Sequence, residues 1–180
     1  MKAKDYLERH WIKNKIWTHY EWPKHQNRFK FCASYLEGER FIDVGCALGY
    51  STNLLKKLLP GDWSGLEFWE GATTQAKKLF PKIKFYYSED FNFLPICGKF
   101  DSVLCSEVIE HVKDDQALIN GLISITKNVL VITTPNGLVD DPGHLRVYTE
   151  ESLSKFFNGY NFEIIKEGTF FYGVIRKKIK

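Results

Sequence analysis

Short apolar segments rich in β-branched residues alternate with helical segments along most of this sequence, and that alternation restricts the possible folds. The predicted strands are Arg40–Val44, Trp63–Phe68, Ile83–Tyr87, Phe100–Cys105 and Val129–Thr133. Strands that alternate with helices on short connections form a parallel sheet with helices on both faces. The pattern therefore predicts an α/β fold with a doubly wound, Rossmann-like sheet.

The remaining elements extend this prediction at both ends of the chain. Phe162–Lys166 and Phe170–Lys177 are too close for a crossover helix, so we expect an antiparallel pair around Gly168. The sheet then has seven strands, mostly parallel, with an antiparallel C-terminal strand. Helices are predicted for residues Tyr6 to Ile16, Gln26 to Leu36, Thr52–Leu59, Ala72–Phe80, Gln116–Ile125 and Glu150–Phe157, with Pro23 interrupting the first stretch and Thr149 capping the last helix.

Length and composition indicate one globular unit. The chain has 180 residues, of which 44% are hydrophobic, and this excludes a disordered or low-complexity protein. We expect an N-terminal helical arm or lid, residues 1–38, packed on a domain formed by residues 39–180. The net charge of +3 does not by itself predict a nucleic-acid partner.

The sequence also carries expectations about location. No apolar run reaches the roughly 18 residues that a membrane span requires, and the N-terminus has no apolar segment typical of a secretory signal. The four cysteines form no Cys-x-x-Cys pair, which argues against a zinc knuckle. They are expected to be reduced thiols, and the protein is expected to be cytoplasmic.

The loop after the first predicted strand is the first candidate site. It runs from Asp43 to Gly49, with glycines at 45 and 49 in the spacing Gly-x-x-x-Gly. No Lys-Ser or Lys-Thr pair follows, so a P-loop is excluded, and the spacing also differs from that of a dinucleotide-binding loop. An acidic residue before the first glycine suits a ligand with a cationic group better than a pyrophosphate.

The end of the second predicted strand adds a second candidate. Glu67 follows the glycine loop by about twenty residues, where an acidic side chain can accept both ribose hydroxyls of a nucleoside. Phe68, beside it, offers an apolar face for an adenine ring.

Four segments in order resemble the motifs of the class I S-adenosylmethionine-dependent methyltransferases. They are FIDVGCALG at 41–49, GLEF at 65–68, KFYYSED at 84–90 followed by Leu94-Pro95, and FDSVLCSE at 100–107. This resemblance implies S-adenosyl-L-methionine as cofactor, with S-adenosyl-L-homocysteine as product. Ala47 departs from the pattern, because many members have glycine there.

By this resemblance, the cofactor lies across the motifs from its methionine end to its adenine end. Glu67 holds the ribose, Asp90 or the neighbouring Glu89 faces the adenine amino group, and Phe91 flanks the ring. The implied cofactor-binding residues are Asp43, Val44, Gly45, Cys46, Ala47, Gly49, Glu67, Phe68, Asp90, Phe91 and Ser106.

Ionisable residues after the fourth predicted strand indicate where an acceptor binds. Glu107, Glu110 and His111 lie within five residues, and His144 lies in the loop after the fifth predicted strand, at the same edge of the sheet. Three interpretations stay open: a structural histidine with solvated glutamates, a histidine general base, or a metal site. The candidate catalytic residues are His111, His144 and Glu107.

In the metal interpretation, Glu107, Glu110, His111 and His144 hold one divalent ion such as Mg or Mn, which lowers the pKa of an acceptor oxygen. This part of the sequence resembles two subfamilies, the ubiquinone-biosynthesis-type O-methyltransferases and the small-RNA 2′-O-methyltransferases. The resemblance rests on the Glu-x-x-Glu-His run, the Thr-Pro-Asn turn and the later histidine.

The sequence thus predicts an S-adenosylmethionine-dependent O-methyltransferase that acts on a small-molecule acceptor. The first alternative is a metal-dependent RNA ribose 2′-O-methyltransferase. The second is a non-catalytic nucleoside-binding protein of the same fold, in which the acceptor-side residues are replaceable without loss.

Overall fold

The computed structural model describes residues 22–137 and 141–177, and its centre is a seven-stranded sheet. The strands are β1 (Arg40–Val44), β2 (Asp62–Glu67), β3 (Lys84–Tyr87), β4 (Phe100–Ser106), β5 (Thr126–Pro135), β6 (Asn161–Glu167) and β7 (Phe170–Arg176). Their order is β3-β2-β1-β4-β5-β7-β6. The first five pair in parallel, and β7 is antiparallel to both β5 and β6.

Helices cover both faces of this sheet. They are α1 (Pro23–Ala33), α2 (Tyr50–Leu58), α3 (Glu70–Leu79), α4 (Leu94–Cys97), α5 (Asp115–Ile125) and α6 (Glu150–Phe156), with a 3₁₀ turn at Ile109–His111. None of the helices within the described ranges is both long and apolar enough to cross a membrane.

Successive residues of the central strands supply two separate cores. Ile42 and Val103 join the core that contains α5 and α6. Their neighbours Phe41 and Leu104 belong to the core that contains Phe29 of α1. Side chains alternate across a strand, so a strand buried on both faces is almost continuously apolar. This explains why β1 and β4 are evident in the sequence.

The predicted architecture is confirmed: the sheet is mostly parallel, and β6 and β7 form the antiparallel pair around Gly168. The four cysteines are buried free thiols. The predicted helix from Tyr6 to Ile16 lies outside the described residues. The division of the chain at residue 38 stays a prediction.

Element boundaries needed correction at several points. α1 begins at Pro23, three residues before the predicted start at Gln26, because a missing N–H is harmless in the first turn. β5 is longer than predicted at both ends and reaches Pro135. The short helix α4 and the 3₁₀ turn were not predicted, since segments this short carry little periodicity.

The parallel pairing fixes where chemistry can occur. β1, β2, β4 and β5 run in the same direction, so the loops that follow them lie along one edge of the sheet. The glycine loop, Glu67, Glu107 and the segment leading to His144 all come from these loops.

Candidate active site

The glycine loop lies directly against the segment that follows β4. Gly45 has a φ of +80° and donates its N–H to the Leu66 carbonyl at 2.8 Å. A Cβ at this position would lie 2.4 Å from Cγ2 of Val108. Only glycine fits both the left-handed backbone and this close approach. The two predicted halves of the site are therefore adjacent.

Asp43 anchors the loop to α2. Its Oδ2 atom accepts hydrogen bonds from Ser51 Oγ at 2.6 Å and from Thr52 Oγ1 at 2.8 Å. Burial raises the pKa of this carboxyl, and the two hydroxyls oppose the shift. Val44 and Cys46, also predicted to bind the cofactor, are buried. Asp43 thus fixes the glycine loop to the start of α2.

Glu67 ties the glycine loop to the end of β2. Its Oε2 accepts from the N–H of Ala47 at 2.8 Å, and its Oε1 accepts from Phe68 N at 2.8 Å and Trp69 N at 3.2 Å. Burial raises the pKa of Glu67 to about 7, although the three N–H donors act in the opposite direction. Oε1 already accepts two N–H groups, whereas Oε2 accepts one and has capacity for a further donor such as a ribose hydroxyl.

Two residues of the loop besides Gly45 have left-handed backbones that affect its shape. Gly49, the N-cap of α2, has a φ of +81°. Ala47, where the resembling family often has glycine, has a φ of +47°. A methyl group in this conformation is strained, and the hydrogen bond to Glu67 holds it there.

The predicted adenine side is aromatic. The rings of Phe68 and Phe91 meet edge to face at 5.6 Å. Asp90 is exposed, and its Oδ1 accepts from Asn92 N at 2.9 Å. Glu89, the alternative to Asp90, is exposed and accepts from the Tyr87 hydroxyl at 2.8 Å.

The acceptor side brings together three of the predicted residues. Glu110, His111 and His144 each offer a ligand atom, and these atoms lie within 4.8 Å of one another. The two imidazole rings are 4.6 Å apart. The contact forms because Leu145 N donates to the Glu110 carbonyl at 2.8 Å, which holds the later loop against the 3₁₀ turn. We name these three residues the acceptor cluster.

The Glu110 carboxylate is buried in an unusual state. It is 1% exposed, and within the described residues neither of its oxygens has a hydrogen-bond partner. Burial, followed by repulsion from Glu107, raises its pKa well above 4.5. A buried carboxylate without donors requires either a proton or a cation.

Burial favours the neutral form of both histidines of the cluster. Burial lowers the pKa of His111, and repulsion from His144 lowers it further. Burial also lowers the pKa of His144, while Asp141 opposes the shift. Neutral imidazoles can accept a proton or ligate a metal ion.

Glu107 lies apart from the acceptor cluster. Its Oε2 is 3.6 Å from Nη1 of Arg28, and its Oε1 accepts from Thr133 Oγ1 at 2.9 Å. Ser106, predicted to bind the cofactor, shares a hydrogen bond of 2.8 Å with Thr133. The four predicted metal ligands are therefore split into a cluster of three and a glutamate that pairs with an arginine.

Arg28 lies beside Glu107 but is not among the predicted site residues. It lies far upstream of the motifs on α1, and an arginine within an N-terminal helix resembles any surface arginine. Its burial, at 5% exposure, follows from the packing of α1 and is not evident from periodicity.

Comparisons with known proteins agree with this geometry. A family model described as "Methyltransferase domain" matches residues 17–167. No curated protein sequence matches the chain.

Three similar solved structures show the same fold. Magnesium protoporphyrin IX methyltransferase from Synechocystis PCC 6803, with bound SAH, is 18% identical, with a TM-score of 0.67 over 86% of this chain and 84% of that chain. A SAM-dependent methyltransferase from Archaeoglobus fulgidus is 17% identical, with a TM-score of 0.69 and coverages of 84% and 92%. The methyltransferase domain of bacterial CtHen1-CN is 20% identical, with a TM-score of 0.66 and coverages of 84% and 98%.

The family model spans most of the chain, including the glycine loop, Glu67 and the acceptor cluster. The expected relationship to the class I S-adenosylmethionine-dependent methyltransferases is thereby confirmed, and the chain belongs to the methyltransferase domain family.

Proposed function

We propose that this methyltransferase moves a methyl group from S-adenosylmethionine to an oxygen atom of a small acceptor. The observation that carries the proposal is the contact between Gly45 and Val108, which places the glycine loop beside the acceptor cluster. A cofactor in the loop and an acceptor at the cluster are then neighbours, and methyl transfer depends chiefly on that alignment.

The loops after β1 and β2 supply the groups that bind the cofactor. Glu67 accepts from the ribose hydroxyls, and the edge-to-face pair of Phe68 and Phe91 provides an apolar surface for the adenine. The backbone of the glycine loop, from Gly45 to Gly49, holds the methionine part. When bound, S-adenosylmethionine supplies a methyl group on a sulfonium, whose sulfur is a good leaving group.

The acceptor cluster removes the proton. As the acceptor oxygen bonds to the methyl carbon and the carbon–sulfur bond breaks, the hydroxyl proton passes to His111 or His144. Burial lowers the pKa of both imidazoles and so favours the neutral form, which can accept this proton. The Asp141 carboxylate, which opposes the lowering of both histidine pKa values, favours the imidazolium that forms.

Metal-assisted transfer is a second candidate, favoured by the unpartnered Glu110 carboxylate within 4.8 Å of two imidazole ligand atoms. Glu110, His111 and His144 would hold the ion, and the donor set of one carboxylate and two imidazoles suits Mn, Fe or Zn. A bound ion lowers the pKa of an acceptor hydroxyl.

An acceptor screen tests the proposal. Production of S-adenosylhomocysteine is measured with phenols, catechols, sugars, carboxylic acids and RNA 3′ ends, with and without Mn²⁺. We expect turnover with a small acceptor that falls at least 1,000-fold in His111→Ala while S-adenosylhomocysteine affinity stays within about threefold. His25→Ala, which changes a histidine of α1, is the matched control.

Methylation of RNA alone would replace the small acceptor by a nucleic acid. Full turnover in His111→Ala would exclude His111 as the base, and full turnover in His111→Ala/His144→Ala would remove a histidine base from the mechanism.

A further inference from the structure

Arg28 lies on α1, outside the four motifs, yet its guanidinium is buried beside the active site. Its side chain is 5% exposed, and its central carbon lies 4.8 Å from the ring centres of both Phe29 and Phe170. A buried arginine is rarely found without a charged partner. Among the residues that the structure describes, the carboxylate that pairs with it is Glu107, at 3.6 Å.

Glu107 is held from two sides and on a strained backbone. Arg28 lies at Oε2 and the Thr133 hydroxyl at Oε1, while the Glu107 N–H donates to the Thr133 carbonyl at 3.0 Å. Its φ is +58°, a conformation that glutamate seldom adopts. Such strain persists only where surrounding contacts enforce it, and it is concentrated at functional sites.

This strained residue begins the segment that carries the acceptor cluster. The 3₁₀ turn Ile109–His111 follows Glu107 after one residue and supplies Glu110 and His111. A change in the position of Glu107 therefore moves both residues. Glu107 is 22% exposed, so it is not locked in place by burial alone.

We propose that Arg28 is a positioning residue of the acceptor site. By pairing with Glu107, it holds that carboxylate away from the acceptor cluster and fixes the turn that carries Glu110 and His111. This inference rests on the proposed function, because it assigns a role within the proposed acceptor site. It implies that α1, which precedes all four motifs, is part of the active site.

The proposal has a consequence for cation binding. With Arg28 in place, the cluster offers one carboxylate and two imidazoles. Without Arg28, the guanidinium charge is lost and Glu107 is released as a second carboxylate beside Glu110. Two carboxylates and two imidazoles bind a divalent cation more tightly than the three-residue set.

The first experiment titrates Mn²⁺ alone into chelator-treated full-length protein by calorimetry. We expect Arg28→Met to bind Mn²⁺ at least tenfold more tightly than the wild type. Neither the double variant Arg28→Met/Glu107→Gln nor Glu107→Gln alone is expected to bind Mn²⁺ more tightly than the wild type, because neither offers a second carboxylate. Equal affinities of Arg28→Met and the wild type would contradict release of Glu107.

The second measurement needs no metal. Imidazole resonances of His111 and His144, assigned with Asn variants, report the position of the turn by NMR. We expect both to shift in Arg28→Met and to return in Arg28→Lys, which restores the charge. Unchanged resonances in a folded Arg28→Met protein would overturn the proposal, whether or not Mn²⁺ binds to any variant.

Arg40→Met is the matched control for loss of a guanidinium. Arg40 also lies over a ring, that of Phe100 at 5.2 Å, and pairs with Asp62 at 3.7 Å, but at the opposite end of β1 and half exposed. It should change neither readout. Thermal unfolding checks folding: Arg28→Met is expected to lose about 5–10 °C, part of which the double variant regains.

The outcomes separate this proposal from the proposed function. Mn²⁺ binding to no variant contradicts the metal-assisted candidate, while the histidine resonances still decide the role of Arg28. Loss of S-adenosylhomocysteine binding in the wild type would contradict the methyltransferase assignment itself.

Discussion

At the scale of single residues, Glu67 is the side chain predicted to bind the ribose of the cofactor. Glu67→Gln replaces one acceptor oxygen with an N–H donor, which faces the N–H groups of Ala47 or of Phe68 and Trp69. We expect S-adenosylhomocysteine affinity to fall roughly 10- to 100-fold, the range for losing hydrogen bonds to a charged group. Calorimetric titration measures it.

Glu70→Gln is the matched control, since Glu70 is exposed on the adjoining helix α3. It should bind like the wild type. Equal affinities in Glu67→Gln and Glu70→Gln would show that the second motif is assigned to the wrong role.

Ala47 provides a test of strain. Its φ of +47° suits glycine, so Ala47→Gly should raise the free energy of unfolding by about 1 kcal/mol in urea denaturation. Ala117→Gly, in α5, is the matched substitution in helical backbone and should lower it by about 1 kcal/mol. A loss of stability in both variants would mean that Ala47 is not strained.

The residues of the site differ in how far the sequence reveals them. Glycines and acids in the loops after β1 and β2 are predictable, since the spacing and the strand ends fix their neighbours. The separation of Glu107 from Glu110 was not predictable, because it depends on Arg28 and Thr133, which are distant in sequence and arrive only through packing. Glu107, Glu110 and His111 lie within five residues of the sequence, but the left-handed backbone at Glu107 changes the chain direction between Glu107 and the other two.

At the scale of elements, the start of α6 is stabilised by its N-cap residue, Thr149. Thr149 Oγ1 accepts from Ser152 N at 3.1 Å, and Ser152 Oγ accepts from Thr149 N at 2.8 Å. Thr149→Ala should therefore lower the free energy of unfolding by about 1 kcal/mol. Chemical denaturation measures it.

Thr74→Ala is the control for this cap, because Thr74 is exposed in the interior of α3. Since alanine is the better helix former, this variant should keep or slightly raise stability. A similar loss in the two variants would contradict the cap.

The elements were predictable where one physical signal dominated. β1 and β4 are buried on both faces and each contains several apolar residues, and the Thr149 cap precedes two glutamates that suit a helix N-terminus. The prediction failed for α4 and the 3₁₀ turn, which are held by tertiary contacts. It also placed the start of α1 three residues too late, because a proline at the first position of a helix has the same sequence signal as a proline that precedes one.

At the scale of the whole molecule, buried carboxylates make stability depend on pH. The pKa of Glu67 rises from 4.5 to about 7 on folding, so the folded ligand-free chain takes up a proton between these values. The free energy of unfolding that this proton uptake contributes is fully present below pH 4.5, and it is lost as the pH rises to 7. Asp43, Glu107 and Glu110 have raised pKa values of the same sign.

This dependence is tested by comparing the wild type with Glu67→Gln in urea at pH 5 and pH 7.5. From pH 5 to pH 7.5, the wild type should lose up to about 3 kcal/mol of unfolding free energy relative to the variant. The lowered pKa values of His111 and His144 make stability rise with pH. Both histidines are present in the wild type and in the variant, so their effect cancels in this comparison. A difference between the proteins that is independent of pH would contradict the buried, raised-pKa state of Glu67.

The central claim is that the glycine loop and Glu67 bind S-adenosylmethionine, and the most direct measurement is a calorimetric titration of S-adenosylhomocysteine into the wild-type protein, with NAD⁺ titrated in parallel. We expect S-adenosylhomocysteine to bind one-to-one with micromolar affinity. We expect no binding of NAD⁺, because the loop has the spacing Gly-x-x-x-Gly and not that of a dinucleotide-binding loop. Absence of heat with S-adenosylhomocysteine, or binding of NAD⁺ in its place, would contradict it.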